Sequence, residues 1–287
     1  MSFPYRTVGI VLKASHGNIR ELMAQIADWM DQARSHLISL EATESFDRIT
    51  RVSRDDFEQR CDLILVLGGD GTFLAAGRMA IHRNVPVLGV NLGRLGFLTE
   101  IAVDELFPVL EMMKLGKVEL ETRHLLRARI KKRDEVLFEG HVINDAVITK
   151  AGIARLLEIE TQVNQEFLAV FKADGLIIST PTGSTAYSLA AGGPIVFPTM
   201  EAIVMTPICP HSLNHRPLVI PHHLVITVHV QVAEENVNLT LDGQINRFLQ
   251  PQEYVEIAKS PYNLTIIKSP FKSYFNVLKS KLRWGEI

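Results

Sequence analysis

The chain has 287 residues, of which 47% are hydrophobic and 22% are charged, as is usual for a globular protein. This length suits one large domain or two domains of ordinary size. The formal net charge of -2 at pH 7 provides no global field that would attract nucleic acid or an anionic membrane surface.

The cysteines and the N-terminus indicate the compartment. Cys61 and Cys209 lie far apart, which is not typical of a secreted disulfide framework and favours a reducing environment. The N-terminal segment shows no signal peptide, and no apolar run approaches the roughly 20 residues of a membrane-spanning helix. The sequence therefore predicts a cytoplasmic protein without a membrane or nucleic-acid partner.

The first hundred residues alternate between strand-like and helix-like segments. Apolar residues recur at helical spacing after Asn18, a plausible N-cap, and the run Leu63–Leu67 is apolar at every position. Such a run is typical of a strand covered by helices on both faces. The pattern predicts a parallel sheet in an α/β domain. The predicted strands are Thr7–Lys13, His36–Glu41, Leu63–Leu67 and Val85–Asn91, and the helices are Asn18–Arg34, Thr72–His82 and Val103–Gly116.

Three glycines surround Asp70 where the apolar run Leu63–Leu67 ends. Ligands of open parallel sheets bind at the carboxyl ends of the strands, and glycines there allow close approach or a positive φ. A helix that begins near Thr72 would direct its N-terminal N–H groups to the same place, which favours phosphate. Asp70 is then either a base in phosphoryl transfer or an ordinary helix cap. The P-loop and dinucleotide-binding glycine motifs are both absent.

After about residue 100 the pattern changes to short strands with turn signals. Apolar residues alternate along Leu224–Val232 and again along Val237–Leu241, and the second run ends at the turn signal Asp242-Gly243. A hairpin is predicted around Asn164. These features predict a β-rich, antiparallel and sandwich-like domain over residues 101–267, following an α/β domain over residues 1–100. The basic, aromatic tail is either a docked helix or a return to the first domain.

Two further segments resemble ligand-binding loops. Asn91–Glu100 is a second glycine-rich loop at the same sheet edge as Asp70. Ala173–Ile195 is dense in hydroxyl groups and glycines, which suit hydrogen bonding to ribose or phosphate, although an ordinary loop has a similar composition. The pair Asn144-Asp145 is either a tight turn or a ligand contact.

The histidines do not form a recognisable metal motif. His211 and His215 have i, i+4 spacing and precede His222-His223, but no glutamate completes a metalloprotease motif, and prolines bracket the pair. Polar or interface packing is the prediction for these side chains.

Taken together, three motifs resemble the NAD kinase family of the bacterial type. They are G-G-D-G-T at 68–72, N-x-G-x-L-G-F-L at 91–98 and the hydroxyl-rich segment at 174–195, and P-H-S-L-N-H-R-P-L at 210–218 adds to them. The resemblance implies transfer of a phosphoryl group from ATP, or polyphosphate in some members, to the 2′-hydroxyl of the adenosine ribose of NAD. It also implies a divalent cation, Mg²⁺ by expectation, with unassigned ligands, a homo-oligomer (dimer or tetramer), and a tail (about 268–287) that returns to the first domain.

The resemblance also implies roles for individual residues. Asp70 would be the general base, and Asp145 departs from the glutamate that is more usual in the family. The positions implied to contact the dinucleotide are Asp70, Gly71, Asn144, Asp145, Arg155, Lys172, Asp174, Thr182, Thr185, Ala186, Tyr187, Ser188, Leu189, Ala190 and Gln244. The alternatives are a lipid kinase of the diacylglycerol type that shares only the glycine-aspartate turn, and a non-catalytic dinucleotide-binding module.

Overall fold

A computed structural model describes residues 3–13, 19–41, 43–150, 156–230 and 237–285. The chain forms two compact units, one of residues 1–122 with 264–287 and the other of residues 123–263. Residues 101–122 thus group with the first unit, whereas the sequence placed a boundary near residue 100. Asn18, the predicted N-cap, lies outside the described residues.

The first unit contains a parallel sheet with strand order β3-β2-β1-β4-β5, and β6 pairs with β5. Near the carboxyl end of the chain, Ile266 pairs in parallel with Val87. The strands are β1 (Thr7–Leu12), β2 (His36–Leu40), β3 (Ile49–Val52), β4 (Leu63–Leu67), β5 (Val87–Asn91) and β6 (Ile101–Ala102). The helices are α1 (Ile19–Ala33), α2 (Arg54–Arg60), α3 (Asp70–Ala80), α4 (Leu106–Lys114) and α6 (Tyr274–Leu282), and Ile81–Arg83 and Val103–Glu105 are 3₁₀ turns.

The core of this unit explains why the sheet forms. All five residues of β4 are buried, as predicted from their continuous apolar character. Helix α1 buries one apolar stripe against the sheet, including Met23, Ile26 and Met30 at helical spacing. Burial of each such side chain contributes about 1.5–3 kcal/mol to folding. This packing fixes the carboxyl end of β4, where Asp70 begins α3.

The second unit is antiparallel throughout its described strand pairs. One sheet has the order β14-β13-β12-β9-β16-β17, while β11-β10-β15-β18 and β7-β8 form further ladders. The strands are β7 (Leu120–Lys132), β8 (Glu135–Val142), β9 (Asp145–Lys150), β10 (Leu157–Val163), β11 (Glu166–Ala173), β12 (Gly175–Ser179), β13 (Ala202–Ile208), β14 (Leu218–Pro221), β15 (Ile226–Val230), β16 (Val237–Leu241), β17 (Ile245–Phe248) and β18 (Tyr254–Ile267). Thr182–Thr185 is a 3₁₀ helix, and α5 is Tyr187–Ala190.

The predicted turns of this unit are present. Asn164 and Gln165 have φ values of 48° and 69° between β10 and β11, and Asp242 and Gly243 have φ values of 50° and 66° after β16. Left-handed backbone at these positions is typical of tight hairpin loops. The parallel α/β unit and the antiparallel β-rich unit confirm the predicted fold class. No helix in the described part of the chain is long and apolar enough to span a membrane.

Candidate active site

Asp70 is the first residue of α3, and its carboxylate binds the second glycine-rich loop. Gly69 is the N-cap, so the helix begins two residues before the predicted start at Thr72, and Asp70 is not its cap. Oδ2 accepts a hydrogen bond from the Phe97 N–H at 2.9 Å. Oδ1 accepts from the Leu98 N–H at 3.0 Å and from the Thr99 N–H at 3.1 Å and hydroxyl at 3.2 Å. The carboxylate therefore fixes the loop that follows β5.

The glycines around Asp70 differ in their roles. A Cβ on Gly68 would lie 2.7 Å from Thr72 Oγ1, whereas a Cβ on Gly69 or Gly71 would meet nothing within 4 Å. None of the three has a positive φ, so the turn does not use the left-handed backbone that glycine allows. The turn instead uses extended and helical backbone that any residue adopts, and the open space beside Gly69 and Gly71 remains available to a ligand.

The loop after β5 is held by a small buried polar network. Asn91 donates from Nδ2 to Thr99 Oγ1 at 2.9 Å and accepts the Gly93 N–H at 2.7 Å. A Cβ on Gly96 would lie 2.1 Å from Asp70 Oδ1 and 2.3 Å from Thr99 Oγ1. Only glycine fits between these groups, so Gly96 is required for the carboxylate to reach the loop.

In the second unit, a cavity of about 420 Å³ collects residues from three separate segments. Four of its lining residues are among those predicted to bind the dinucleotide, namely Asn144, Asp145, Ala186 and Tyr187. The other lining residues are Val147, Thr149, Thr240, Asp242 and Gly243. A cavity of this size, partly apolar and partly polar, is typical of a small-molecule site.

Asp242 organises this cavity from the β16–β17 hairpin. It is 7% exposed, and its Oδ1 accepts the N–H groups of Ile143 at 3.1 Å, Asn144 at 2.7 Å and Asp145 at 3.3 Å. The Asp242 N–H in turn donates to the Asp145 carbonyl at 2.9 Å. The sequence predicts Asp242 only as part of the turn Asp242-Gly243. A carboxylate in that turn is an ordinary turn residue, so the pattern gave no distinct signal for this role.

The hydroxyl-rich segment packs closely against the Asn144 backbone. A Cβ on Gly183 would lie 2.1 Å from the Asn144 carbonyl oxygen, so any side chain there would collide with main chain. Thr180 donates to the Ile143 carbonyl at 2.6 Å and accepts the Gly183 N–H at 3.0 Å. The Thr180 hydroxyl therefore binds the protein itself, and the segment positions Asn144 beside the cavity.

Burial makes the carboxyl group of Asp145 a weaker acid than usual. The side chain is 4% exposed, and desolvation, together with the nearby Asp242 carboxylate, raises its pKa from 3.8 to about 7. Between pH 4 and 7 the folded chain therefore holds a proton that the unfolded chain has released. The stability of the ligand-free protein should fall as pH rises through this interval and level off above pH 7.

Replacing Asp145 with Asn should remove this pH dependence, because the amide resembles the protonated acid and cannot ionise. The melting temperature of Asp145→Asn should exceed that of the parent by a margin that grows by at least ~3 °C between pH 5 and pH 8, the shift that about 1 kcal/mol produces in a chain of this size. Thermal melts of both proteins at pH 5–8 measure this. A constant difference across the range would contradict the assignment.

The other predicted positions have varied environments. Lys172 is an exposed residue paired with Glu158 at 2.8 Å, and Asp174 pairs with Lys150 at 2.6 Å. Ser188 is fully buried and contacts Thr206 Oγ1 at 2.9 Å. Arg155 lies outside the described residues. Thr182 is buried, Thr185 and Leu189 are half-buried, and Gly71, Ala190 and Gln244 are exposed.

A cavity of about 430 Å³ in the first unit is lined by three lysines. Two of these have acidic partners, because Lys268 lies 3.4 Å from Glu119 and Glu121, and Lys272 binds Glu105. Their charge is largely neutralised, so this cavity offers little attraction for a polyphosphate.

Family models and relatives of known function both match this chain to the same family. Residues 8–118 match the family model of the ATP-NAD kinase N-terminal domain, and residues 143–269 match that of the ATP-NAD kinase C-terminal domain. The NAD kinase of Solibacter usitatus is 41% identical over 282 residues, covering 98% of each chain.

Two solved structures are similar over nearly the whole chain. Yeast NADH kinase complexed with NADH has a TM-score of 0.90 at 28% identity, covering 99% of this chain and 89% of that one. The NAD kinase of Archaeoglobus fulgidus in complex with ATP has a TM-score of 0.76 at 22% identity, covering 96% and 98%. The second likeness shows the fold alone.

Proposed function

The chain belongs to the NAD kinase family, phosphotransferases that use ATP to phosphorylate the 2′-hydroxyl of the adenosine ribose of NAD, and we propose roles for its residues in that reaction. The matched families and relatives give no support to the lipid-kinase alternative. The observation that carries the proposal is the cavity of the second unit, where the pair Asn144-Asp145 meets the pair Ala186-Tyr187 from a separate segment of the chain.

Asp70 is proposed as the general base. A ribose hydroxyl is a poor nucleophile at neutral pH, and a carboxylate that accepts its proton helps the oxygen to attack the γ-phosphorus while the bond to the leaving ADP breaks. Oδ1 of Asp70 already accepts three hydrogen bonds, whereas Oδ2 accepts one among the described residues. Each carboxylate oxygen has two lone pairs, and the three donors on Oδ1 share its pair, so one lone pair of Oδ2 remains. Oδ2 is therefore the proposed base atom.

Dinucleotide binding is proposed for the cavity of the second unit. Asn144 and Asp145 provide an amide and a carboxyl group that suit ribose hydroxyls, and Tyr187 provides an aromatic ring that is 46% exposed. Asp242 holds the backbone of Asn144 and Asp145 in place. The other predicted contacts are Gly71, Arg155, Lys172, Asp174, Thr182, Thr185, Ser188, Leu189, Ala190 and Gln244.

A divalent cation, Mg²⁺ by proposal, would neutralise the triphosphate of ATP. Mg²⁺ in kinases is commonly held by substrate phosphates, waters and one or two carboxylates. The Asp70 carboxylate is not assigned as such a ligand, because its one remaining lone pair, on Oδ2, is already assigned to the ribose hydroxyl. No protein ligand is therefore assigned to the cation, and the proposed roles above do not depend on one.

A cytoplasmic homo-oligomer is proposed as the working state. Both cysteines are free thiols, which suits a reducing compartment. Strand β11 carries the apolar side chains Phe167, Leu168 and Val170, which are 62%, 38% and 37% exposed. Apolar side chains grouped on one strand support an interface between copies of the chain. Light scattering of the parent and of Phe167→Ser measures the subunit number, and a monomeric parent would contradict this proposal.

Purified protein with Mg²⁺, ATP and NAD is expected to form NADP, which enzymatic cycling measures. Parallel reactions with polyphosphate as donor and with NADH as acceptor define the substrate range. Absence of NADP with every donor, together with measurable NAD binding, would indicate the non-catalytic binding module instead. Absence of both would contradict the proposed dinucleotide cavity.

A further inference from the structure

Three side chains of the second unit form a cluster outside the proposed dinucleotide cavity. His124 lies on β7, Glu201 directly precedes β13, and His222 directly follows β14. One ligand atom from each lies within 4.8 Å of the others. The Nε2 atoms of His124 and His222 lie 3.7 Å and 3.8 Å from the two Glu201 carboxylate oxygens. These distances are too long for hydrogen bonds, so the three groups face one another without direct bonding.

The tautomer of His124 suits a metal ligand. Its Nδ1 lies 3.2 Å from Asn263 Oδ1. An amide oxygen only accepts hydrogen bonds, so Nδ1 carries the proton and Nε2 presents a lone pair toward Glu201. A ring N–H donated to a carbonyl-type oxygen is the usual arrangement behind a metal-bound histidine.

His222 is the buried member of the cluster. It is 6% exposed, and its Nδ1 is buried without a hydrogen-bond partner among the described residues. Burial, and next the positive charge of Lys259, lower its pKa, so the ring is neutral at pH 7. Neutral imidazole is the form that binds metals. A buried ring without its hydrogen bonds is unfavourable unless coordination compensates.

The neighbouring charges both favour and oppose a cation. Lys259 adds positive potential around His222, while Glu201 contributes a carboxylate whose side chain is 67% exposed and free to adjust. A cation held only by charge would gain little here. The site therefore favours a metal that forms strong bonds with imidazole nitrogen over Mg²⁺ or Ca²⁺.

We propose that His124, Glu201 and His222 bind one Zn²⁺ ion, with water as the fourth ligand. Two imidazoles and one carboxylate are a known ligand set for zinc, and bonds of about 2.0–2.2 Å place tetrahedral ligands about 3.4 Å apart. The two imidazole nitrogens lie 3.7 Å and 3.8 Å from different oxygens of Glu201, and all three ligand atoms lie within 4.8 Å of one another, so rotation of the exposed carboxylate and a closure of up to about 1.4 Å would complete the site. The ion would link β7 to the start of β13 and the end of β14, and it would stabilise the unit independently of phosphoryl transfer.

Zinc binding is tested by calorimetry and thermal melting on metal-free, tag-free protein titrated with ZnCl₂. Cys209 is an exposed thiol that could bind zinc itself, so a Cys209→Ser background is used throughout. The test variants are His124→Gln, His222→Gln and Glu201→Gln, of which Glu201→Gln changes an exposed side chain and keeps its volume. His223→Gln, an exposed neighbour of His222, is the matched control.

One equivalent of Zn²⁺ per chain and a zinc-dependent rise in melting temperature are expected for the background protein and for His223→Gln. Each of the three test variants should weaken binding about tenfold or more, since even changes behind the ligands cost 10–100-fold. The proposal would be overturned if Glu201→Gln bound Zn²⁺ as tightly as the background protein. It would also be overturned if His223→Gln lost as much Zn²⁺ affinity as the three test variants. A stoichiometry well below one would overturn it as well. All readouts exclude turnover, so failure here leaves the proposed kinase function unaffected.

Discussion

Asp70→Asn is expected to lower kcat for NADP formation about 10²- to 10⁴-fold, the usual contribution of a positioned general base. The dissociation constant for NAD should stay close to that of the parent, because the amide occupies the same volume. The amide oxygen can replace Oδ1 and keep the Leu98 and Thr99 hydrogen bonds. The amide nitrogen cannot accept the Phe97 N–H, so a loss of about 1–3 kcal/mol in stability is also expected.

Two further variants separate the role of Asp70 as a general base from its role in holding the loop after β5. Thr99→Ala removes one of the four donors to Asp70 and keeps the carboxylate, so it should reduce kcat less than about tenfold. Gly96→Ala keeps the carboxylate but pushes it away, because the new Cβ would lie 2.1 Å from Oδ1. If the position of the base matters, Gly96→Ala should approach the defect of Asp70→Asn.

Steady-state kinetics, NAD calorimetry and thermal melts on the same preparations provide the comparison. An Asp70→Asn enzyme that turns over within threefold of the parent would rule out Asp70 as the base. A kcat defect in Thr99→Ala equal to that of Asp70→Asn would assign Asp70 to holding the loop rather than to proton transfer.

Strong hydrophobic periodicity made most elements of the fold predictable. Strand β4 and helix α1 bury continuous or regularly spaced apolar residues, so their pattern alone identifies them. Strand β3 and helix α2 were not predicted. Only the two end residues of β3 are buried, and α2 buries only Phe57, so neither shows a periodic stripe. Helix α2 depends instead on the Ser53 cap, which accepts the Asp56 N–H at 3.2 Å.

The candidate site was only partly predictable for a different reason. Glycine-rich loops after neighbouring parallel strands indicated that Asp70 and the loop after β5 face one place, and the structure joins them by hydrogen bonds. The partner atoms were not predictable, because they are backbone N–H groups that every residue carries. For the same reason, Asp242 resembled a hairpin turn. Its function depends on three N–H groups almost a hundred residues earlier in the chain.

Asp242→Ala is expected to weaken NAD binding at least tenfold and to lower the melting temperature by roughly 10 °C or more. The substitution leaves the N–H groups of Ile143, Asn144 and Asp145 without their acceptor, and each buried unpaired group costs about 1–3 kcal/mol. Calorimetry with NAD and thermal melts measure both effects. Asp134→Ala, in the exposed β7–β8 turn, is the matched control and should change neither.

Asp242→Asn separates the hydrogen bonds of this side chain from its charge. The amide oxygen can still accept from the three N–H groups, so NAD affinity should fall less than in Asp242→Ala. Loss of the negative charge removes one of the two causes that raise the pKa of Asp145, so the pH-dependent loss of stability should move below pH 7. Unchanged NAD affinity in Asp242→Ala would show that the turn holds Asn144 and Asp145 without this carboxylate. An unchanged pH profile in Asp242→Asn would leave burial as the sole cause of the raised Asp145 pKa.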